Sequence, residues 1–212
     1  NCIGLVKQLI KKNNIKEVKY LNISLPKNLS KISNKKKIKV IHLSTDCVYS
    51  GNKGNYKEIN KPDAKDFYGK SKLAGEFKSE NVINIRTSII GDELLTKYSL
   101  FNWFMSQKRV NGFKNAFFSG LTTLELSKII INYIILNEKI SNGLYNISGP
   151  KISKLNLLKI IKKIYKTKIT IKVDNSYKID RSLNSSKFRK KVNLKMKAWP
   201  TMIREQKSFY EN

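Results

Sequence analysis

Apolar positions in this chain come in short runs that alternate between strand-like and helix-like spacing. Val40–Leu43 is a short, mainly apolar run of the kind a buried parallel strand shows, and Asn81–Thr87 and Gly143–Ser148 are further strand-length runs. Lys168–Val173 alternates apolar and polar residues and predicts another strand. Helical spacing predicts helices over Phe67–Ser79, Ser99–Gln107, Thr123–Leu136, Lys154–Tyr165 and Trp199–Phe209, with Thr122 or Thr123 as an N-cap. A longer helical region is expected from Val6 to Ser33, marked by Leu9, Ile10, Leu21, Leu25 and Leu29. It is weakened at Asn13-Asn14 and kinked or restarted at Pro26. Lys35–Lys39 reads as a charged connector and Gly51–Pro62 as a turn-rich loop, and no internal repeat is present.

The candidate chemistry falls between the first of these strands and the helix that follows it, in Ser44–Glu76. The strand end offers Ser44, Thr45 and Asp46, where ligands gather in open parallel sheets. By themselves these three also suit a plain turn or a helix cap. The helix offers Tyr68 and Lys72, four residues apart and therefore on one face. A free tyrosine, with a pKa of about 10, exchanges protons poorly at neutral pH. A lysine cation beside it favours the phenolate and lowers that value. Tyr68 could then pass a proton to a carbonyl oxygen that Thr45 holds by a hydrogen bond, which is acid–base catalysis with positioning.

A Tyr-x-x-x-Lys pair alone carries little weight in a chain with 10 Tyr, and a second pair, Tyr49 and Lys53, sits in a glycine-rich turn. The weight rests on the whole string: S-T-D-x-V-x-x-G, 23 residues from Thr45 to Tyr68, then Y-G-x-S-K-x-x-G-E. This string resembles the extended short-chain dehydrogenase/reductase superfamily, and most closely the dTDP-4-dehydrorhamnose reductase family of sugar-nucleotide reductases. The resemblance continues through Asn1–Gly4 (NCIG) and Arg86–Ser88 (RTS) and covers most of the chain.

The resemblance implies an α/β fold: the C-terminal portion of a doubly wound, parallel-sheet Rossmann fold with a small α/β substrate-binding lobe. Residues 1–92 would form an incomplete NAD(P)-binding domain. Residues 93–212 would be mainly the substrate lobe, with 117–148 returning to the Rossmann sheet. NCIG would end the fourth strand, so the glycine-rich phosphate turn, which occurs nowhere in these residues, is expected upstream of Asn1. The implied catalytic residues are Thr45, Tyr68 and Lys72. NADPH or NADH would meet Cys2, Ile3, Gly4, Ser44, Tyr68, Lys72, Thr87 and Ser88. The nucleotide-sugar would meet Thr45, Asp46, Phe113, Asn115, Phe118 and Arg181. The family's late-loop basic residue, which meets the substrate diphosphate, is matched best by Arg181, although Arg181 could equally pair with Asp180 or Asp174. Arg86 could approach the cofactor or form a structural ion pair. The apolar face of Ser99–Gln107 reads as core rather than ligand platform, and Asn22 and Leu29 read as cap and core.

The implied reaction is NAD(P)H-dependent reduction of the 4-keto group of a nucleotide-linked 6-deoxyhexose, with Tyr68 as proton donor. A nucleotide-sugar epimerase of the same superfamily, or a non-catalytic regulatory homologue, shares these residues. The dehydratases of the superfamily carry Asp-Glu directly after the Thr. Here Asp46 is followed by Cys47, which disfavours water elimination. Close dehydrorhamnose reductases also carry aromatics at the positions of Cys47 and near Ile89, so a different 4-keto-6-deoxy sugar is open.

Composition changes this picture little. The net charge of +28 invites a nucleic-acid reading, but only five of the 43 basic residues are Arg, the residue suited to bidentate base and phosphate contacts. Solvated lysine faces are the expectation, and no nucleic-acid partner is expected. Two Cys and one His exclude a disulfide framework and argue against a zinc site, so no metal is expected. The longest apolar run, Ile129–Leu136, is interrupted by Asn132 and Tyr133 and is too short for a bilayer. No secretory leader is visible. A cytoplasmic protein without a membrane partner is expected, and a homodimer is left open.

Overall fold

The computed structural model describes residues 1–93, 97–136 and 140–211. The segment before Ile15 is not helical. It holds two single 3-10 turns, Lys7–Leu9 and Lys12–Asn14, and the helix begins only at α1 (Ile15–Lys19). Asn14 is the cause: its side chain donates to the Leu9 carbonyl at 2.9 Å and accepts from the Lys11 N–H at 2.8 Å, so local side-chain bonds replace helical ones.

Pro26 neither kinks nor restarts the helix. The turn before it, Tyr20–Ser24, widens to a π-helical turn, and α2 (Leu25–Lys36) follows without a break. Proline has no N–H for the carbonyl four residues back, and its ring crowds that carbonyl, so a wider turn relieves both problems. The inward face is Val18, Asn22, Pro26, Ser30 and Ser33, small and polar rather than leucine-rich. Leu21, Leu25 and Leu29 lie half-buried beside it.

The chain then forms β1 (Val40–Leu43), a single 3-10 turn at Asp46–Val48, α3 (Phe67–Ala74), β2 (Val82–Arg86) and β3 (Ile89–Ile90). Helix α3 stops five residues before the expected Ser79. A Cβ on Gly75 would stand 2.2 Å from the Asn22 carbonyl oxygen, so the helix end is pressed against the π turn and the chain must leave it there. Next come α4 (Leu100–Met105), β4 (Arg109–Phe113), β5 (Ala116–Phe118), β6 (Leu121–Thr122) and α5 (Thr123–Ile130). Thr122 caps α5, accepting from the Glu125 N–H at 3.2 Å. Then follow β7 (Gly143–Asn146), β8 (Ile152–Ser153), α6 (Lys154–Tyr165), β9 (Thr170–Asp174), β10 (Ile179–Asp180), α7 (Ser186–Val192) and α8 (Trp199–Glu211).

The sheet that carries the site has the order β1-β2-β7, all parallel, with Leu43 opposite Ile85 and Ile85 opposite Tyr145. Central β2 is buried at all five positions, as expected where both faces of a parallel sheet are covered. Asn1 lies along the other edge of β1: its N–H donates to the Ile41 carbonyl and its carbonyl accepts from Leu43. Smaller pairings build the rest: β3 with β6, β4 with β9, and β10-β5-β8. One apolar cluster joins β2 to α4, α5, α6 and α8 through Ile83, Ile85, Phe104, Ile129, Leu157 and Met202. A second holds Val48, Tyr49, Tyr56 and Leu183, with Tyr49 and Tyr56 stacked at 4.1 Å. That cluster ties the glycine-rich loop to the loop after β10, because Tyr56 also bridges Leu183. No helix among the described residues is long and apolar enough to cross a membrane.

Candidate active site

The ladder between β1 and β2 continues past the strand ends. Ser44 N–H donates to the Ile85 carbonyl at 2.7 Å and Asp46 N–H to the Thr87 carbonyl at 3.1 Å. Residues 44–46 and 86–88 therefore lie side by side at the carboxyl edge of the sheet. Thr45 is buried and does act as a cap, accepting from the Cys47 N–H at 3.1 Å, while its hydroxyl donates to Asp46 Oδ1 at 3.3 Å. Helix α3 brings Tyr68 to this edge, started by Asp66, which accepts from the Gly69 N–H at 2.8 Å. A Cβ on Gly69 would stand 2.2 Å from the Cys47 carbonyl oxygen, so α3 runs in close contact with the turn that holds Thr45.

The phenol of Tyr68 is pushed up from its ordinary value, first by burial and then by the nearby Cys47, Asp46 and Asp66. The nearby Thr45 hydroxyl works the other way. This reverses the expected lowering by Lys72. The Lys72 ammonium donates to the Leu43 carbonyl at 2.7 Å, and burial lowers its own pKa to about 8 against the opposing pull of Glu76. Desolvation of the phenolate outweighs any help from a lysine held elsewhere.

Glu76, the last residue of the string, completes the frame. Its carboxylate accepts from Arg86 Nε at 2.8 Å and Nη2 at 2.6 Å, and from the Ser44 hydroxyl at 2.6 Å, while Arg86 Nη1 donates to the Tyr49 hydroxyl at 2.7 Å. Of the two roles open to Arg86, the structure shows the ion pair. Asn22 is a second tie: it accepts from the Leu5 N–H, and its amide donates to the Leu5 carbonyl and to the Ser71 hydroxyl, which fastens the NCIG segment to α3. Gly4 thus sits close to the Lys72 ammonium, while Cys2 and Ile3 are exposed. Thr87 is buried, and its hydroxyl has no hydrogen-bond partner among the described residues.

Beside Thr45 a cavity of about 360 Å³ opens, with Asp46, Cys47, Ser88, Lys154 and Arg181 in its lining. Apart from Asn111, its other lining residues are apolar or aromatic, with Trp103, Phe113, Phe117, Phe118 and Tyr177 among them. Phe113 and Tyr177 meet edge to face at 5.4 Å. Arg181 makes neither ion pair considered for it. Its Nε donates to the Tyr49 carbonyl at 3.0 Å and its Nη1 approaches Cys47 Sγ at 3.5 Å. Asp180 pairs instead with Lys151, and Asp174 with Ser176. Asn115 does not line the cavity; it stands in the turn between β4 and β5 and donates to the Asn175 carbonyl. Helix α4 divides its aromatics: Phe101 and Phe104 join the core, while Trp103 faces the cavity. Lys154, which had read only as the first residue of an amphipathic helix, stands with its ammonium 3.7 Å from the Phe118 ring centroid. Burial raises the Asp46 carboxyl and the Cys47 thiol, the latter to about 12. A second cavity, of about 380 Å³ between α6 and α8, shares no residue with this site.

The fold is shared with Rossmann-fold reductases and epimerases. A dTDP-4-dehydrorhamnose reductase from Bacillus anthracis, solved with NADP, superposes with a TM-score of 0.81 over 100% of this chain and 79% of that one, at 19% identity. The Clostridium acetobutylicum reductase gives 0.82 over 100% and 80%, at 16% identity. A hypothetical dTDP-4-dehydrorhamnose reductase from Sulfolobus tokodaii gives 0.74 over 88% and 70%, at 25% identity. Within that class, residues 12–102 match the family model described as RmlD substrate binding domain. The resemblance to the dTDP-4-dehydrorhamnose reductases holds. No curated protein matches the sequence.

Proposed function

We propose that this chain carries the catalytic edge and substrate pocket of an NAD(P)H-dependent reductase acting on the 4-keto group of a nucleotide-linked 6-deoxyhexose. The observation that supports this most is the packing of α3, which carries Tyr68, on the turn that holds Thr45 at the carboxyl edge of the sheet, beside a cavity lined by Asp46 and Cys47. A phenol held protonated by burial is suited to give its proton to a carbonyl oxygen as that oxygen gains charge. Thr45 would fix the same oxygen by a hydrogen bond. Lys72 supplies a cation on the same helix face, poised at the Leu43 carbonyl.

The residues present fit a nicotinamide cofactor. The buried Thr87 hydroxyl has no hydrogen-bond partner among the described residues, and it lies at the carboxyl edge of the sheet beside Ser88, which lines the cavity. Gly4, Ser44, Tyr68, Lys72, Thr87 and Ser88 would hold it, with Cys2 and Ile3 at its outer side. NADPH or NADH, when bound, supplies the hydride. We divide the chain accordingly: residues 1–92 on the cofactor side, and 93–212 mainly on the substrate side.

The test is product analysis. The full-length protein is incubated with NADPH or NADH and a nucleotide-linked 4-keto-6-deoxyhexose. Oxidation of the cofactor matched by formation of the 4-hydroxy sugar is expected. Epimerised ketone without cofactor consumption would replace reduction by epimerisation, and binding without any conversion would replace it by a regulatory role.

A further inference from the structure

The cavity holds more positive charge than its own side chains neutralise. Two cations, Lys154 and Arg181, face it against one carboxylate, Asp46. Lys154 is the first residue of α6, directly after the capping Ser153. A cation at the positive end of a helix is disfavoured, and this one lies near a second cation. Both the burial of Lys154 and the proximity of Arg181 work against its charge, with Asp46 opposing them. Among the described residues its ammonium meets no hydrogen-bond acceptor and no ion-pair partner, and it rests against the Phe118 ring. Lys151, three residues earlier, pairs with Asp180, so acceptors are within reach of this segment and Lys154 is turned away from them. Arg181 is likewise half-used. Nε serves the Tyr49 carbonyl and Nη1 meets a thiol, a weak acceptor, which leaves guanidinium donors open to the cavity.

An ammonium that faces the cavity without an acceptor stays available to an anion entering there, whereas an apolar side chain of similar length would line the same wall without that capacity. Its presence is accounted for if an anion from outside completes it. Resting on the nucleotide-sugar reading above, we propose that Lys154 is a ligand-binding and specificity-determining residue, whose ammonium joins the open donors of Arg181 in gripping the diphosphate of the bound nucleotide. The aromatic walls, with Phe113 and Tyr177 meeting at their edge, take the flat, apolar parts of the ligand. Asp46 limits the attraction without cancelling it, because one carboxylate faces two cations.

Calorimetric titration of the full-length protein with dTDP and UDP, and with thymidine and uridine as phosphate-free controls, tests this. Lys154→Met should weaken the nucleoside diphosphates by about ten- to a hundredfold, the effect of losing one charged hydrogen-bond partner. Binding of the nucleosides should stay within about twofold of the parent protein, and Lys154→Arg should restore most of the loss, since it keeps the charge. The ligand-free melting temperature of Lys154→Met should be unchanged or higher, the reverse of a structural role. Undiminished diphosphate binding in Lys154→Met, or equal loss for nucleosides and diphosphates, overturns the proposal while leaving the reductase reading standing. Failure of the parent protein to bind either diphosphate overturns both.

Discussion

Glu76 and Arg86 face each other as a two-pronged ion pair, with both nitrogen–oxygen contacts at or below 2.8 Å and side chains 8% and 3% exposed. The pair joins the segment after α3 to the end of β2, and through the Ser44 hydroxyl it also holds the end of β1. Three pieces of backbone that carry Thr45, Tyr68 and Thr87 are thereby fixed to one another. A buried pair of this kind resists the loss of one partner far more than the loss of both.

Arg86→Met should therefore lower unfolding free energy by about 3 kcal/mol, because it leaves the Glu76 carboxylate buried and uncompensated. Glu76→Gln should do nearly the same from the other side. The double variant should recover part of the loss, and denaturant titration of all four proteins measures the coupling. A double variant as unstable as the sum of the two singles would show that the groups do not act as a pair.

The string that ends in Glu76 was legible as a unit, and much of the frame around it followed from local chemistry. Strand β1 ends where the run of apolar residues ends, and α6 spans Lys154–Tyr165 as its spacing predicts, capped by Ser153. What could not be read depends on contacts across the chain. The apolar markers at Leu9 and Ile10 suggested helix, yet side-chain bonds from Asn14 decide that segment. Gly75 ends α3 because it meets the carbonyl of a residue more than fifty positions earlier. Lys154 looked like one more solvated lysine. Its place in the cavity comes from β8 pairing with β5, which sets Ile152 opposite Phe118 and so brings the start of α6 over that ring. Phe113 and Asn115 are two residues apart in sequence, but the turn directs one to the cavity and the other to Asn175. The Tyr68 shift runs opposite to the spacing-based expectation for a related reason: helical spacing places Lys72 on the right face, while the Leu43 carbonyl decides where its ammonium rests.

Tyr68→Phe separates chemistry from folding. The phenol's burial is shared by the ring that remains, and Thr45 is the neighbouring side chain that favours its charged form. Turnover of the keto sugar should fall on the order of a hundredfold or more, the usual contribution of a positioned general acid. The melting temperature and the affinity for nucleoside diphosphates should change little. Because burial raises the phenol above its ordinary range, the proton is retained through neutral and mildly alkaline pH. The rate of the parent protein should accordingly show no loss assignable to Tyr68 ionisation across that interval. Turnover within a few-fold of the parent in Tyr68→Phe would remove Tyr68 from the role of donor.

His42 gives the acid limb of stability a specific source. It sits in β1, 2% exposed, and its Nε2 has no hydrogen-bond partner among the described residues. Burial, reinforced by the nearby Lys72 cation, lowers its pKa from 6.5 to about 3. The unfolded chain therefore binds a proton between those two values that the folded chain refuses. Stability rises with pH wherever the unfolded state holds more protons, so the contribution is complete above about pH 6.5 and is lost as pH falls toward about 3. A shift of this size corresponds to roughly 5 kcal/mol at its limit. Urea unfolding of the parent protein and of His42→Leu at a series of pH values isolates it, since the carboxylates titrate equally in both. The stability of the parent relative to the variant should decline steadily below pH 6.5. A difference that stays flat from neutral pH down to pH 4 would show that His42 is protonated without cost, and that the space around it is not closed to water.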